Sequence, residues 1–181
     1  MKGIIVLSHR MEDCEALATR ALLRRAGIDI KTITYENTKD IETAFGLIVK
    51  ADYFAHEIHL DTFDFVVIPG GRYVQEVIER DVHIKELVKF FNKKQKLVAA
   101  ICAGPRFLGQ AGLLDHKHFT AFTGSEKDMP LGIYHPELKA VTDGNIITAR
   151  GAGAVYEFVY EIIKYVYNEL KAKELLASIL Y

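Results

Sequence analysis

The sequence predicts an α/β protein whose mostly parallel sheet is covered by helices on both faces. Three observations carry that expectation. Apolar runs such as Ile4–Leu7, Phe65–Ile68 and Leu97–Ile101 do not alternate with polar residues, as expected of strands buried on both sides. Segments with a helical period separate most of them. The strand ends carry unusual residues, Ser8–Glu15, Pro69-Gly70-Gly71 and Cys102-Ala103-Gly104-Pro105. Ligands of parallel α/β sheets bind at such carboxyl ends, so any function is expected there.

Taken in order, Gly3–Ser8 reads as a strand and Glu12–Ala26 as a helix. That helix places Leu17, Ala18, Ala21, Leu22 and Ala26 on one face, acids in its first turn and Gly27 at its end. Asp29–Thr34 is a second strand, Phe45–Val49 and Tyr53–His56 are short ones, and Phe65–Ile68 is a strong one. Asp81–Asn92 is a helix, Leu97–Ile101 a buried strand and Pro105–Gly112 a helix. Phe119–Phe122, Leu138–Val141 and Asn145–Ala149 read as strands, the last two joined by an Asp143-Gly144 turn. From Ala154 a long helix follows, broken near Asn168–Lys173, with Phe158, Ile162, Val166 and Leu170 as its core stripe.

At 181 residues the chain fits one domain spanning 1–181. Lys and Arg total 23 against 24 for Asp and Glu, so bulk charge selects neither nucleic acid nor an acidic membrane. Two cysteines exclude a disulfide framework and a four-cysteine zinc site. The opening apolar run is too short for a signal-peptide core, and no stretch approaches the roughly 20 apolar residues that span a bilayer. A cytoplasmic location is the expectation. His56-x-x-His59 and His116-x-His118 match no metal-binding spacing, so no metal is expected. Gly151-Ala152-Gly153 lacks a third glycine and is followed by bulky Val155-Tyr156, so no dinucleotide cofactor is expected either.

The segment Leu97–Pro105 runs from a buried strand straight into a helix. Cys102 has Ala100 two residues before it and Gly104 two after, the steric requirement of a nucleophile elbow. At a helix start the thiolate is favoured, so a depressed thiol pKa is expected. Pro69-Gly70-Gly71 suits an oxyanion site, where backbone N–H groups face a ligand, and equally a tight βα turn.

These residues, with Glu12-Asp13-Cys14-Glu15, Arg24-Arg25-Ala26-Gly27 and Asp143–Gly153, resemble the ThiJ/PfpI family in order along nearly the whole chain. The resemblance implies a flavodoxin-like three-layer α/β/α sandwich and a homodimer. It implies that Cys102 is the reactive cysteine, that Glu15 is a buried acid donating a hydrogen bond to its sulfur, and that the N–H groups of Gly71 and Ala103 face the site. Such a donor must be protonated, so a raised pKa is expected for Glu15. The residues alone do not single out Glu15; Glu12 and Asp13 are read as solvated. Cys14 lies about 100° around the helix from Glu15 and is read as a buried bystander.

The chain departs from parts of the wider superfamily. A protease of the PfpI type carries histidine after the cysteine, where this chain has Ala103, and a glutamine amidotransferase needs a late His-x-Glu pair. His135-Pro136-Glu137 comes too early and is discounted. Phe122 stands where some relatives of the ThiJ branch place a histidine, which leaves His116 and His118 as the histidines that would have to fold back towards the sulfur. Two readings follow. One is a cofactor-free, glyoxalase- or deglycase-like enzyme acting on small reactive carbonyls. The other is an oxidative-stress sensor or protective protein in which Cys102 becomes a sulfinate, read by a protein partner.

Overall fold

The computed structural model describes all 181 residues, Met1–Tyr181. Strand β1 (Lys2–Val6) leads into a helix whose first turn is π-helical (Cys14–Ala18) and which continues as α1 (Thr19–Arg25). Then come β2 (Asp29–Thr34), β3 (Asp40–Glu42), β4 (Ile48–Lys50), β5 (Tyr53–Phe54) and β6 (Phe65–Ile68). Helices α2 (Arg72–Val77) and α3 (His83–Lys93) precede β7 (Leu97–Ile101) and α4 (Pro105–Gln110). The chain closes with β8 (His118–Phe119), β9 (Ile133–Tyr134), β10 (Ala140–Asp143), β11 (Ile146–Ala149), α5 (Val155–Val166) and α6 (Glu169–Ser178).

Seven strands form the central sheet in the order β10-β11-β7-β6-β1-β2-β5. Every pairing is parallel except β10 with β11. Read from β2 to β11, this is the 2-1-3-4-5 order of flavodoxin-like folds. Helices α1 and α5 pack together on one face, while α3 lies against β6 and β7 on the other. Strands β6 and β7 are buried throughout, which is why they read as unbroken apolar runs. Strand order reverses between β1 and β6, so the segments leaving their carboxyl ends diverge and open a crevice there.

Several elements differ from expectation. The first helix starts at Cys14 rather than Glu12, and Cys14 is exposed, not buried. Phe45–Val49 is not one strand: β3 and β4 form a hairpin with Phe45 and Gly46 in its turn. Helix α2 has no sequence counterpart, because it is six residues long and presents only Tyr73 and Val74 to the core. The Phe119–Phe122 segment is strand only at β8, which pairs with β9 in a separate two-stranded ribbon. Asp143 pairs with Ile146, so the hairpin loop is Gly144-Asn145, shifted by one residue. The C-terminal helix breaks at Tyr167-Asn168, where Asn168 caps α6 by accepting from Lys171 N–H at 2.9 Å. Leu170, beyond the break, is 68% exposed and leaves the core stripe.

Candidate active site

Three strand exits meet at the crevice. The helical turn after β1 delivers Glu15, the turn after β6 delivers Gly70 and Gly71, and the turn after β7 delivers Cys102 and Ala103. Cys102 has φ of +63°, in the left-handed region that costs a side-chain-bearing residue about 1–3 kcal/mol. Two backbone bonds hold it there: its N–H donates to Ala149 O, and its carbonyl accepts from Phe122 N–H, each at 2.8 Å. A Cβ on Gly104 would lie 2.5 Å from Ile68 O, so only glycine lets the elbow pack against the end of β6.

The Pro69–Gly71 turn is pinned from several sides. Tyr73 Oη donates to Pro69 O at 2.8 Å, Glu12 N–H donates to Gly70 O at 3.0 Å, and Gly70 N–H donates to Glu15 Oε2 at 2.9 Å. A Cβ at Gly70 would stand 2.6 Å from both Cys102 Cβ and Glu15 Oε2. Gly70 therefore lets cysteine and glutamate come together, whereas the family resemblance directed attention to Gly71. The N–H groups of Gly71 and Ala103 have no acceptor elsewhere in the backbone, and the Ala103 N–H points at the sulfur.

Glu15 is 1% exposed. Burial lifts its carboxyl from the ordinary 4.5 to about 7, against the pull of the Cys102 thiol and the Gly70 and Ala152 N–H groups. Its Oε1 is buried without a well-formed hydrogen bond. Glu15 N–H in turn donates to Glu12 Oε2 at 2.8 Å.

The expected depression of the Cys102 thiol pKa is corrected. Burial pushes it up, the charge of Glu15 adds to that, and the Ala103 N–H pulls only weakly the other way. The pair therefore holds at most one negative charge between its two members, and a thiolate requires Glu15 to hold the proton.

Glu12 and Asp13 are not simply solvated. Glu12 lines the cavity in front of Cys102, and Asp13 Oδ1 accepts from Thr43 Oγ1 at 2.7 Å. That cavity has a volume of about 350 Å³ and is lined by Gly71, Cys102 and Ala103 together with Arg72, Arg106 and Lys127. Arg106 is buried and its guanidinium pairs with Asp128.

No histidine lines the cavity. His118 Nδ1 lies 2.7 Å from His135 Nε2, and His135 Nδ1 lies 3.2 Å from Glu137 Oε1, so these residues engage each other on the β8–β9 ribbon. Arg150 and the Gly151–Ala154 turn line a neighbouring cavity, which shares Phe122 and Thr123 with the first. Arg72 and Arg106 had sequence signals that went unused: one follows Gly71 directly, and the other stands four residues after Cys102, one helical turn on. Lys127 had none, since it arrives through a distant loop.

The DJ-1/PfpI family model matches residues 1–165. The chain is 31% identical to "Deglycase PfpI" of Pyrococcus furiosus, over 91% of this chain and 98% of that protein. It is 28% identical to "Glutathione-independent glyoxalase DJR-1.2" of Caenorhabditis elegans, over 96% of this chain and 92% of that one. Among solved structures, "Toxoplasma gondii DJ-1, oxidized" superposes with a TM-score of 0.91 at 30% identity, covering 99% and 98% of the two chains. The chain spans only 46% and 40% of the length of two longer relatives, the Arabidopsis thaliana DJ-1 homologs A and B.

Proposed function

The chain belongs to the DJ-1/PfpI family, and on that premise we propose a cofactor-free, cysteine-dependent enzyme with glyoxalase- or deglycase-like action on small reactive carbonyls. The observation that carries this reading is the buried Glu15 carboxyl against Cys102, at a cavity that Cys102 lines together with Gly71 and Ala103. Its volume is at the small end of ligand sites, which run from about 300 to 1,000 Å³, and suits a small substrate.

In this mechanism the sulfur bonds to the carbonyl carbon as the C=O π bond breaks. The thiol proton travels through Glu15 to the carbonyl oxygen, giving a hemithioacetal. The Gly71 and Ala103 N–H groups stabilise that oxygen while it is negative. With methylglyoxal, moving a proton from C1 to C2 and the hydroxyl proton from the C1 oxygen to the C2 oxygen turns the adduct into a lactoyl thioester. Water then cleaves the thioester and restores the thiol, so methylglyoxal plus water becomes lactate. A carboxyl titrating near 7 is suited to both giving and taking protons at neutral pH.

The test follows lactate release from methylglyoxal by wild type, Cys102→Ala and Glu15→Gln. Loss of turnover in Cys102→Ala is expected; turnover independent of Cys102 sinks the reading. Two free thiols and no disulfide fit a reducing compartment, so a cytoplasmic location belongs to the same proposal.

The sensor reading draws on one observation, the lack of a histidine base in the cavity. There, peroxide would oxidise Cys102 to a sulfinate held by Glu15, with water as the by-product. Mass spectrometry after mild peroxide treatment decides it: if Cys14 oxidises while Cys102 stays a thiol, the sensor reading fails.

A further inference from the structure

The choice among carbonyl substrates rests on the reaction site proposed above and on the charges around it. Arg72, Arg106 and Lys127 all line the Cys102 cavity. Arg106 is already paired with Asp128, whereas Arg72 and Lys127 are in no ion pair. One acid, Glu12, also lines the cavity and accepts from the Glu15 N–H, so the two unpaired cations outnumber the carboxylate facing them. Two unpaired cations and the Gly71 and Ala103 N–H groups around a nucleophile form a field complementary to an anion. A neutral dicarbonyl uses only the N–H donors.

We infer that the cavity selects carbonyl compounds bearing an anionic group, a carboxylate or a phosphate, with Arg72 and Lys127 as the specificity-determining residues. The anionic group sits against the two cations while the carbonyl oxygen faces Gly71 and Ala103.

Two alkylating probes of similar size test this without turnover: anionic iodoacetate and neutral iodoacetamide. Each forms a C–S bond and releases iodide. Cys14 is an internal reference, because it is exposed and stands among the charges of Glu12, Asp13 and Glu15. The iodoacetate-to-iodoacetamide rate ratio at Cys102 is expected to exceed that at Cys14 by about tenfold. It should fall severalfold in the Arg72→Gln/Lys127→Gln double variant while the Cys14 ratio stays put. Equal ratios at the two cysteines, or a Cys102 ratio indifferent to the double variant, overturn the inference.

If neither probe modifies Cys102, the proposed function fails and the anion preference is read separately. Amide shifts of Gly71 and Ala103 in Cys102→Ala are then followed on titration with acetate, inorganic phosphate or acetamide. Saturation by either anion but not by acetamide, abolished by the double variant, supports the inference. The tighter anion identifies carboxylate or phosphate. Shifts that do not distinguish anions from acetamide, or that persist in the double variant, overturn it.

Discussion

Replacing Glu15 by glutamine removes the ionisation of a buried carboxyl and leaves its shape nearly unchanged. In the folded protein Glu15 is 1% exposed and its pKa stands at about 7 instead of the ordinary 4.5. Below pH 4.5 the group is protonated in both the folded and unfolded chain; above 7 it is ionised in both. Between those values the folded state keeps a proton that the unfolded chain releases, so stability falls as pH rises through this window. The wild type should lose about 2–3 kcal/mol from this group between pH 5 and pH 8.

Glu15→Gln has no such titration, and its amide still offers an oxygen to Gly70 N–H. Urea unfolding of the variant and the parent is measured at pH 5, 6, 7 and 8, both in a Cys102→Ala background so that the thiol adds nothing. The free-energy difference should move in favour of the variant by about 2–3 kcal/mol from pH 5 to pH 8. A difference that does not change with pH would refute the idea of a buried, proton-holding Glu15.

Gly70→Ala forces a methyl to within 2.6 Å of Cys102 Cβ and Glu15 Oε2, so thermal unfolding should reveal a cost of about 1–3 kcal/mol, with turnover falling by more than the folded fraction does. Arg106→Gln strips the partner from Asp128, whose side chain is only 13% exposed, and chemical unfolding should show a loss of about 3 kcal/mol, partly restored by adding Asp128→Asn. Asn168→Ala removes the cap on α6 and should cost about 1 kcal/mol, seen as faster amide exchange in the first turn of that helix. The homodimer implied by the family is tested by light scattering after gel filtration, where twice the chain mass is expected and a single-chain mass rejects it.

Strands β6 and β7 were legible residue by residue, because a strand buried on both faces needs an unbroken apolar run with turn-forming residues at its end. Helix α2 was hidden because six residues are too few to display a period. The β8–β9 ribbon was hidden because two-residue strands are defined only by the partner they find. Leu170 was counted in the stripe although a break was expected near Asn168–Lys173; the break comes just ahead of it, at Tyr167-Asn168, and turns it outward.

The same division runs through the site. Small residues flanking Cys102, and the strand-to-helix passage containing it, are local facts, and the sequence by itself determined that a sharp elbow would present this cysteine. Residues alone left Glu12, Asp13 and Glu15 equivalent. Only the tertiary structure distinguished them, by burying Glu15 against Gly70 and Cys102 and turning Asp13 to Thr43. The thiol divides the same way: a helix start favours the thiolate, but burial and the facing carboxyl outweigh it. Those terms depend on what three separate strand exits bring together, and no local run of residues encodes that distance.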